Sequence, residues 1–115
     1  MLEQWITRHR ASSKAREWLE EGPLRVYVRW TTRLLGGQLV RSLDLATFDV
    51  DEDQQGQGVC TRFVQRAEEL ADREQCYLYV ESVLSDRFAK WWQGRGYIQV
   101  QDCFYRDPKK IGPVS

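Results

Sequence analysis

The sequence predicts an α/β (α+β) domain, and three observations carry that reading. Val26, Val28 and Trp30 alternate through the stretch from Leu24 to Leu35, which meets Gly36-Gly37 and a second extended stretch, Gln38 to Val50, in the pattern of an antiparallel hairpin. Val59, Phe63, Val64, Ala67, Leu70 and Ala71 then recur at helical spacing to about Glu74, while Arg62, Arg66, Glu69 and Arg73 face away. Cys76 to Val80 is a nearly continuous apolar run, the signature of a buried central strand.

The remaining elements follow from the same rules. Leu2, Trp5, Ile6 and His9 are spaced three and four apart, and Ala15, Trp18 and Leu19 resume the pattern after Ser12-Ser13, so two short helices, or one broken helix, are expected before Gly22-Pro23. Arg87 to Gln93 reads as an aromatic-rich helix ended by Gly96-Tyr97, and Ile98 to Tyr105 as a last strand or hairpin. Residues 106–115 form a polar tail expected to fray. The length of 115 residues suits a single compact domain, 1–115.

Composition narrows the function classes. Lys plus Arg and Asp plus Glu both number 17, so no overall basic field gathers nucleic acid, and an anion site has to be local. Cys60, Cys76 and Cys103 are odd in number and lack C-x-x-C spacing, which argues against a disulfide framework or a metal site and for a reducing, cytoplasmic location. No run approaches the roughly 18 apolar residues of a membrane span, so no membrane partner is expected.

The stretch Gln54-Gln55-Gly56-Gln57-Gly58-Val59 stands where a strand hands over to a helix. Glycines there let backbone N–H groups approach an anion at the positive end of the helix, and a phosphate is the natural guest. Neither a Gly-Lys-Ser/Thr nor a third glycine follows, which excludes the Walker A and dinucleotide fingerprints.

Together, the order of elements, Gln55-Gly56-Gln57-Gly58-Val59-Cys60 and the later Arg95-Gly96-Tyr97 resemble the GNAT acetyltransferase superfamily over about Leu24 to Tyr105. Cys60 replaces the usual final small residue of the signature. The resemblance implies a central mixed, mostly antiparallel sheet flanked by helices, and acetyl-CoA as cofactor. It places the pyrophosphate on Gln55, Gly56, Gln57, Gly58, Val59, Cys60 and Thr61, and the thioester carbonyl on a backbone N–H around Phe48 to Val50. It also adds Ser85 and Trp92 to the cofactor site, with Trp92, which either packs or lines the thioester channel, where members often carry a tyrosine general acid, and Ser85 where an asparagine often precedes that helix. An indole N–H is not a useful acid, and Tyr79, Tyr97, Tyr105 or a water are left as substitutes.

Acetyl transfer to an amine needs a base for the nucleophile. Asp44, Asp49 and Glu81 are the carboxylates on the relevant strands, with Glu81 first because it ends the buried run where partial burial would raise its pKa, and Asp49 second. His9, on an N-terminal helix, reads as a packed or exposed residue rather than a catalytic one. The favoured function is therefore an acetyl-CoA-dependent N-acetyltransferase acting on an amine of a small molecule or protein. Two alternatives are a catalytically degenerate coenzyme A-binding or interaction module, and an acyltransferase-like protein that modifies a nucleic-acid base. Shortness, with an N-terminal strand missing, suggests an open acceptor cleft that a homodimer or another partner would complete; Trp5, Trp18 or Trp30 would form that interface if exposed, core packing being the first expectation for each.

Overall fold

The computed structural model describes residues 1–50, 58–81 and 86–109. Along the chain run α1 (Leu2–His9), β1 (Ala15–Glu21), β2 (Leu24–Leu35), β3 (Gln38–Val50), α2 (Val59–Glu74), β4 (Tyr77–Val80), α3 (Asp86–Gly94), β5 (Ile98–Val100) and β6 (Cys103–Arg106). The strands make one sheet in the order β1-β2-β3-β4-β6-β5. Among the described residues β3 and β4 alone pair in parallel, and the other four pairings are antiparallel, so the sheet is mixed and mostly antiparallel as expected.

Pleating sorts the side chains into two unlike faces. Val26, Val28, Leu43, Leu45, Leu78, Val80 and Phe104 lie on one, each no more than 1% exposed. α2 seats Phe63, Val64, Ala67, Leu70 and Ala71 in the same core, and α1 adds Leu2, Trp5 and Ile6. α3 joins them through Trp92, whose ring meets Phe48 of β3. The three helices among the described residues thus pack their buried side chains into this core, flanking the sheet as expected. The opposite face carries Arg16, Trp18, Arg25, Tyr27, Arg29, Arg33, Asp44 and Tyr79, and no described element lies over it.

The segment from Ala15 to Glu21 is a strand, not the expected helix. Its register runs from Ala15 opposite Trp30 to Glu21 opposite Leu24, closed by a turn in which Gly22 has φ +58°. Pairing with the long β2 supplies hydrogen bonds that a few apolar residues at helical spacing cannot match, so tertiary context overrides the local pattern. Leu19 alone in β1 is buried, and Glu17, on the helix side, accepts the Trp5 indole N–H at 3.0 Å. β1 is thus the N-terminal strand whose absence the sequence suggested. Trp5 and Trp30 are core residues, and of the three tryptophans considered for an interface only Trp18 is exposed, at 44%.

The tail also departs from expectation over its first residues. Arg106 forks onto Asp72 of α2 at 2.8 and 3.0 Å, and the Lys109 backbone N–H donates to the same carboxylate at 2.8 Å. Residues 106–109 are therefore tied to α2, and 110–115 lie outside the described residues. Among the described residues no helix is long and apolar enough to cross a membrane.

Burial works to raise the Asp72 carboxyl, but the hydrogen bonds from Arg106 and Lys109 outweigh it and leave the pKa lowered. A lowered carboxylate contributes stability above its unfolded pKa, about 3.9, that is lost as pH falls through the folded value. Asp72→Asn should therefore lower the urea midpoint at pH 7, and the gap to the parent should narrow below about pH 3. Parallel pH dependences of the two proteins would show that the Arg106 clamp does not stabilise the fold.

Candidate functional site

α2 begins at Gly58, whose φ of 77° and ψ of 12° put it in the left-handed region that favours glycine. The first helical hydrogen bond runs from Arg62 N–H to Gly58 C=O at 3.0 Å, which leaves the N–H groups of Val59, Cys60 and Thr61 without an intrahelical acceptor. Among the described residues no side chain caps them, and the first turn of the helix holds no carboxylate. A Cβ at position 58 would sit 3.2 Å from Arg62 Nη1, so a side chain there would crowd the approach as well as strain the backbone. These features suit an anion at the positive end of a 16-residue helix. Cys60 is half-buried, and burial pushes its thiol up. Gln55, Gly56, Gln57 and Ser85, four of the residues assigned to the cofactor, lie outside the described residues.

Beside this helix end the sheet opens. β3 and β4 pair only from Ser42–Tyr77 to Leu45–Val80, with one further bond from Glu81 N–H to Leu45 C=O at 3.3 Å. The β2–β3 register slips by one residue there, since Val28 opposes Leu45 and Tyr27 opposes Thr47, so Ala46 is a bulge. Beyond it, residues 46–50 keep β2 on one side and have no described strand on the other. Phe48 and Val50, expected to offer backbone groups to a thioester, lie on this segment.

Trp92 is fully buried rather than lining an open channel. Its ring meets Phe48, Phe88, Trp91 and Tyr97, with the last two centroids at 4.8 Å, and this packing closes it off. Its Nε1 has no hydrogen-bond partner among the described residues. Tyr97, one substitute for the missing acid, is committed elsewhere: its hydroxyl donates to Glu68 at 2.8 Å, and burial together with that carboxylate pushes its pKa far up. Tyr79 stays on the open face beneath the Arg33 guanidinium, 3.9 Å from its ring, and burial raises its pKa to about 12.

The three candidate carboxylates part ways on that face. Asp44 is fully buried, accepts hydrogen bonds from Arg33 and Ser42, and has Arg29 Nε at 3.4 Å. Burial pushes its carboxyl up against these partners. Glu81 is half-buried at the end of β4, bonded to Arg29 and 3.9 Å from Arg33. Asp49 is exposed and pairs with Arg25 at 3.4 Å. His9 packs on Trp5 at the end of α1. Among the described residues no three His, Cys, Asp or Glu side chains gather to hold a metal ion.

Geometry thus sets the end of β4 beside the free edge of β3, with the Glu81 carboxylate turned to the open face and bonded to Arg29, whereas Asp49 stands apart in its own surface pair. Arg29 and Arg33, which control two of the three carboxylates, were not anticipated. A signal was present, because Arg25, Arg29 and Arg33 occupy alternate positions of one strand and must share a face.

No protein-family model and no curated protein matches the chain. Solved structures do match. A mutant of the toxin AtaT bound to the C-terminus of the antitoxin AtaR and acetyl-CoA shares 14% identity over 92% of this chain and 75% of its own, with a TM-score of 0.63. A complex of KacTA with DNA shares 17% identity over 92% of this chain and 78% of its own, with a TM-score of 0.64. AtaT complexed with acetyl-methionyl-tRNAfMet shares 15% identity over 89% and 75%, with a TM-score of 0.53. The chain has the fold of these proteins, the GNAT fold.

An orphaned buried N–H destabilises a fold, whereas the ring that carries it stabilises this one. Trp92→Phe keeps most of the ring packing and removes the unpaired donor, so its unfolding free energy should stay within about 1 kcal/mol of the parent, while Trp92→Ala should lose about 3–5 kcal/mol. Equal losses in the two variants would mean that the indole N–H is itself required.

Proposed function

We propose that the chain is an acetyl-CoA-dependent acyltransferase that acetylates an amine. The observation that carries this reading is the uncapped, carboxylate-free N-terminus of α2, opened by left-handed Gly58 and set beside the free edge of β3. In the same fold, AtaT has been seen with acetyl-CoA. The residues present fit that cofactor: the N–H groups of Val59, Cys60 and Thr61 would hold a pyrophosphate, with Arg62 one turn in, and the backbone from Phe48 to Val50 would face the thioester. Acetyl-CoA supplies an activated acyl carbon open to attack by a neutral amine.

This chain's part is to bind, orient and move a proton. A backbone N–H on the segment from Phe48 to Val50 would donate to the thioester oxygen, where negative charge develops. Glu81 is the base in this reading, taking the proton that the amine loses, and its place at the end of β4 beside the opening favours it over Asp49. Trp92 has no acid role here. It buttresses Phe48 and so the segment that carries the oxygen-binding N–H. With no acid among these residues, solvent would supply the proton for the departing thiolate.

A second reading, an amine carried on a nucleic acid, is favoured by the same face. Arg16, Arg25, Arg29 and Arg33 share it with Tyr27 and the exposed Trp18, over which Arg25 lies at 4.7 Å, the mixture of cations and stacking rings that suits a nucleic-acid strand. AtaT has been seen with acetyl-methionyl-tRNAfMet. Comparing acetylation of free amines with that of aminoacylated RNA separates the two acceptor classes.

Two variants test the reading. Gly58→Glu adds bulk and negative charge at the helix end and should weaken coenzyme A binding at least about tenfold by calorimetry. A folded Gly58→Glu protein that binds as the parent does would remove the site. Glu81→Gln should lower kcat roughly 10²-fold with coenzyme A affinity nearly unchanged. Full activity in that variant would leave Asp49 or water as the base.

A further inference from the structure

Arg16 and Arg29 stand directly opposite one another in the β1–β2 register, two like charges at a cross-strand position where like charges repel. Elsewhere the same strands obey the rule, since Glu20 opposes Arg25 and lies 3.5 Å from it. At the irregular place is a cavity of about 560 Å³ lined by Lys14, Arg16, Arg29, Trp30, Thr31 and Arg33. The lining holds four cations and a hydroxyl, and no carboxylate. Asp44 and Glu81 neutralise Arg29 and Arg33 from the β3–β4 side. On the cavity side, Lys14 and Arg16 make no ion pair among the described residues, whereas Arg29 turns its Nε to Asp44 at 3.4 Å.

We propose that this cavity is a phosphate site, and that a phosphate group bound there draws Arg29 away from Glu81 and frees that carboxylate to accept the proton of the amine. The second half rests on the reading of Glu81 as the base, and the first half does not. A phosphate offers three acceptor oxygens to a guanidinium fork, and bidentate Arg–phosphate pairing is among the stronger charge-assisted interactions. Four cations against two carboxylates leave the cluster positive, so an added anion relieves the Arg16–Arg29 repulsion. Arg29 and Glu81 are 29% and 30% exposed, and an ion pair so near solvent exchanges partners at small cost. Asp44 stays in place, because Arg33 and Ser42 hold it on the buried side. The base is then engaged when a phosphorylated acceptor is seated and paired to Arg29 when none is.

The test follows the Arg29 Nε–Hε resonance during titration with inorganic phosphate. In the parent it should shift and saturate, and it should do so equally in Gly58→Glu, whose α2 end no longer accepts an anion. The double variant Lys14→Ala/Arg16→Ala should weaken this binding about tenfold while keeping coenzyme A affinity. Glu81→Gln, which removes the competing carboxylate, should tighten it about threefold. A parent resonance that does not move, or a shift that disappears in Gly58→Glu and survives in the double variant, overturns the phosphate site. Unchanged affinity in Glu81→Gln overturns the release of the base. Loss of coenzyme A binding by the parent with phosphate binding intact would count against the acyltransferase reading alone. Repeating the titration with a phosphomonoester and with a dinucleotide distinguishes the source, and the tighter ligand names it.

Discussion

The short parallel pairing of β3 with β4 is the constraint on which the rest of the structure depends. Parallel neighbours require a crossover, and α2 provides it, so the helix must start at the carboxyl end of β3 with its N-terminus aimed past the strand ends. Ending the ladder at Leu45 and Val80, with Ala46 bulged out of register, leaves the last residues of β3 with an open edge beside that helix end. The start of the helix and the unpaired backbone groups of residues 46–50 fall at the same end of the sheet because one strand pair stops early. In open α/β sheets ligands collect at the carboxyl ends of parallel strands, and this chain concentrates that geometry into its one parallel pair.

The two faces of the sheet solve the burial problem differently. One is covered by three helices and an aromatic cluster in which Phe48 touches Phe63, Phe88 and Trp92, so the segment bordering the opening is held by packing. The other uses charge where apolar cover is absent. Arg33 lies over Tyr79 and bonds to Asp44 beneath it, and Arg29 spans from Asp44 to Glu81. A buried carboxylate is tolerated only with such partners, and removal of one arginine would leave an uncompensated charge inside. The open face is accordingly the side held by charge pairs rather than by apolar packing.

Much of this was legible in the chain. The hairpin boundaries, Gly36-Gly37 between Leu35 and Gln38, and the helix from Val59 to Glu74 follow from local rules, because turn chemistry and amphipathic spacing act over a few residues. β1 was not legible. Ala15, Trp18 and Leu19 mimic a helical stripe, and the strand exists because β2 extends far enough to pair with it. The burial of Trp92 was equally hidden, since an aromatic in a helix can face a channel or a cluster, and Phe48, Phe88, Trp91 and Tyr97 converge on it only in the folded chain.

By itself the sequence determined the class of fold, the glycine at the head of α2 and the three carboxylates to be weighed, because periodicity, φ preference and residue chemistry are local properties. Tertiary structure alone decided the surroundings of each carboxylate. Asp44, Asp49 and Glu81 are alike as residues, yet one is buried under two arginines, one is paired at the surface, and one ends a strand beside the opening. It also set Arg16 against Arg29, a juxtaposition made by strand register, since residues 13 positions apart meet only when the β1–β2 turn and pairing are in place. Charge acts through space, and distance along the chain does not report it.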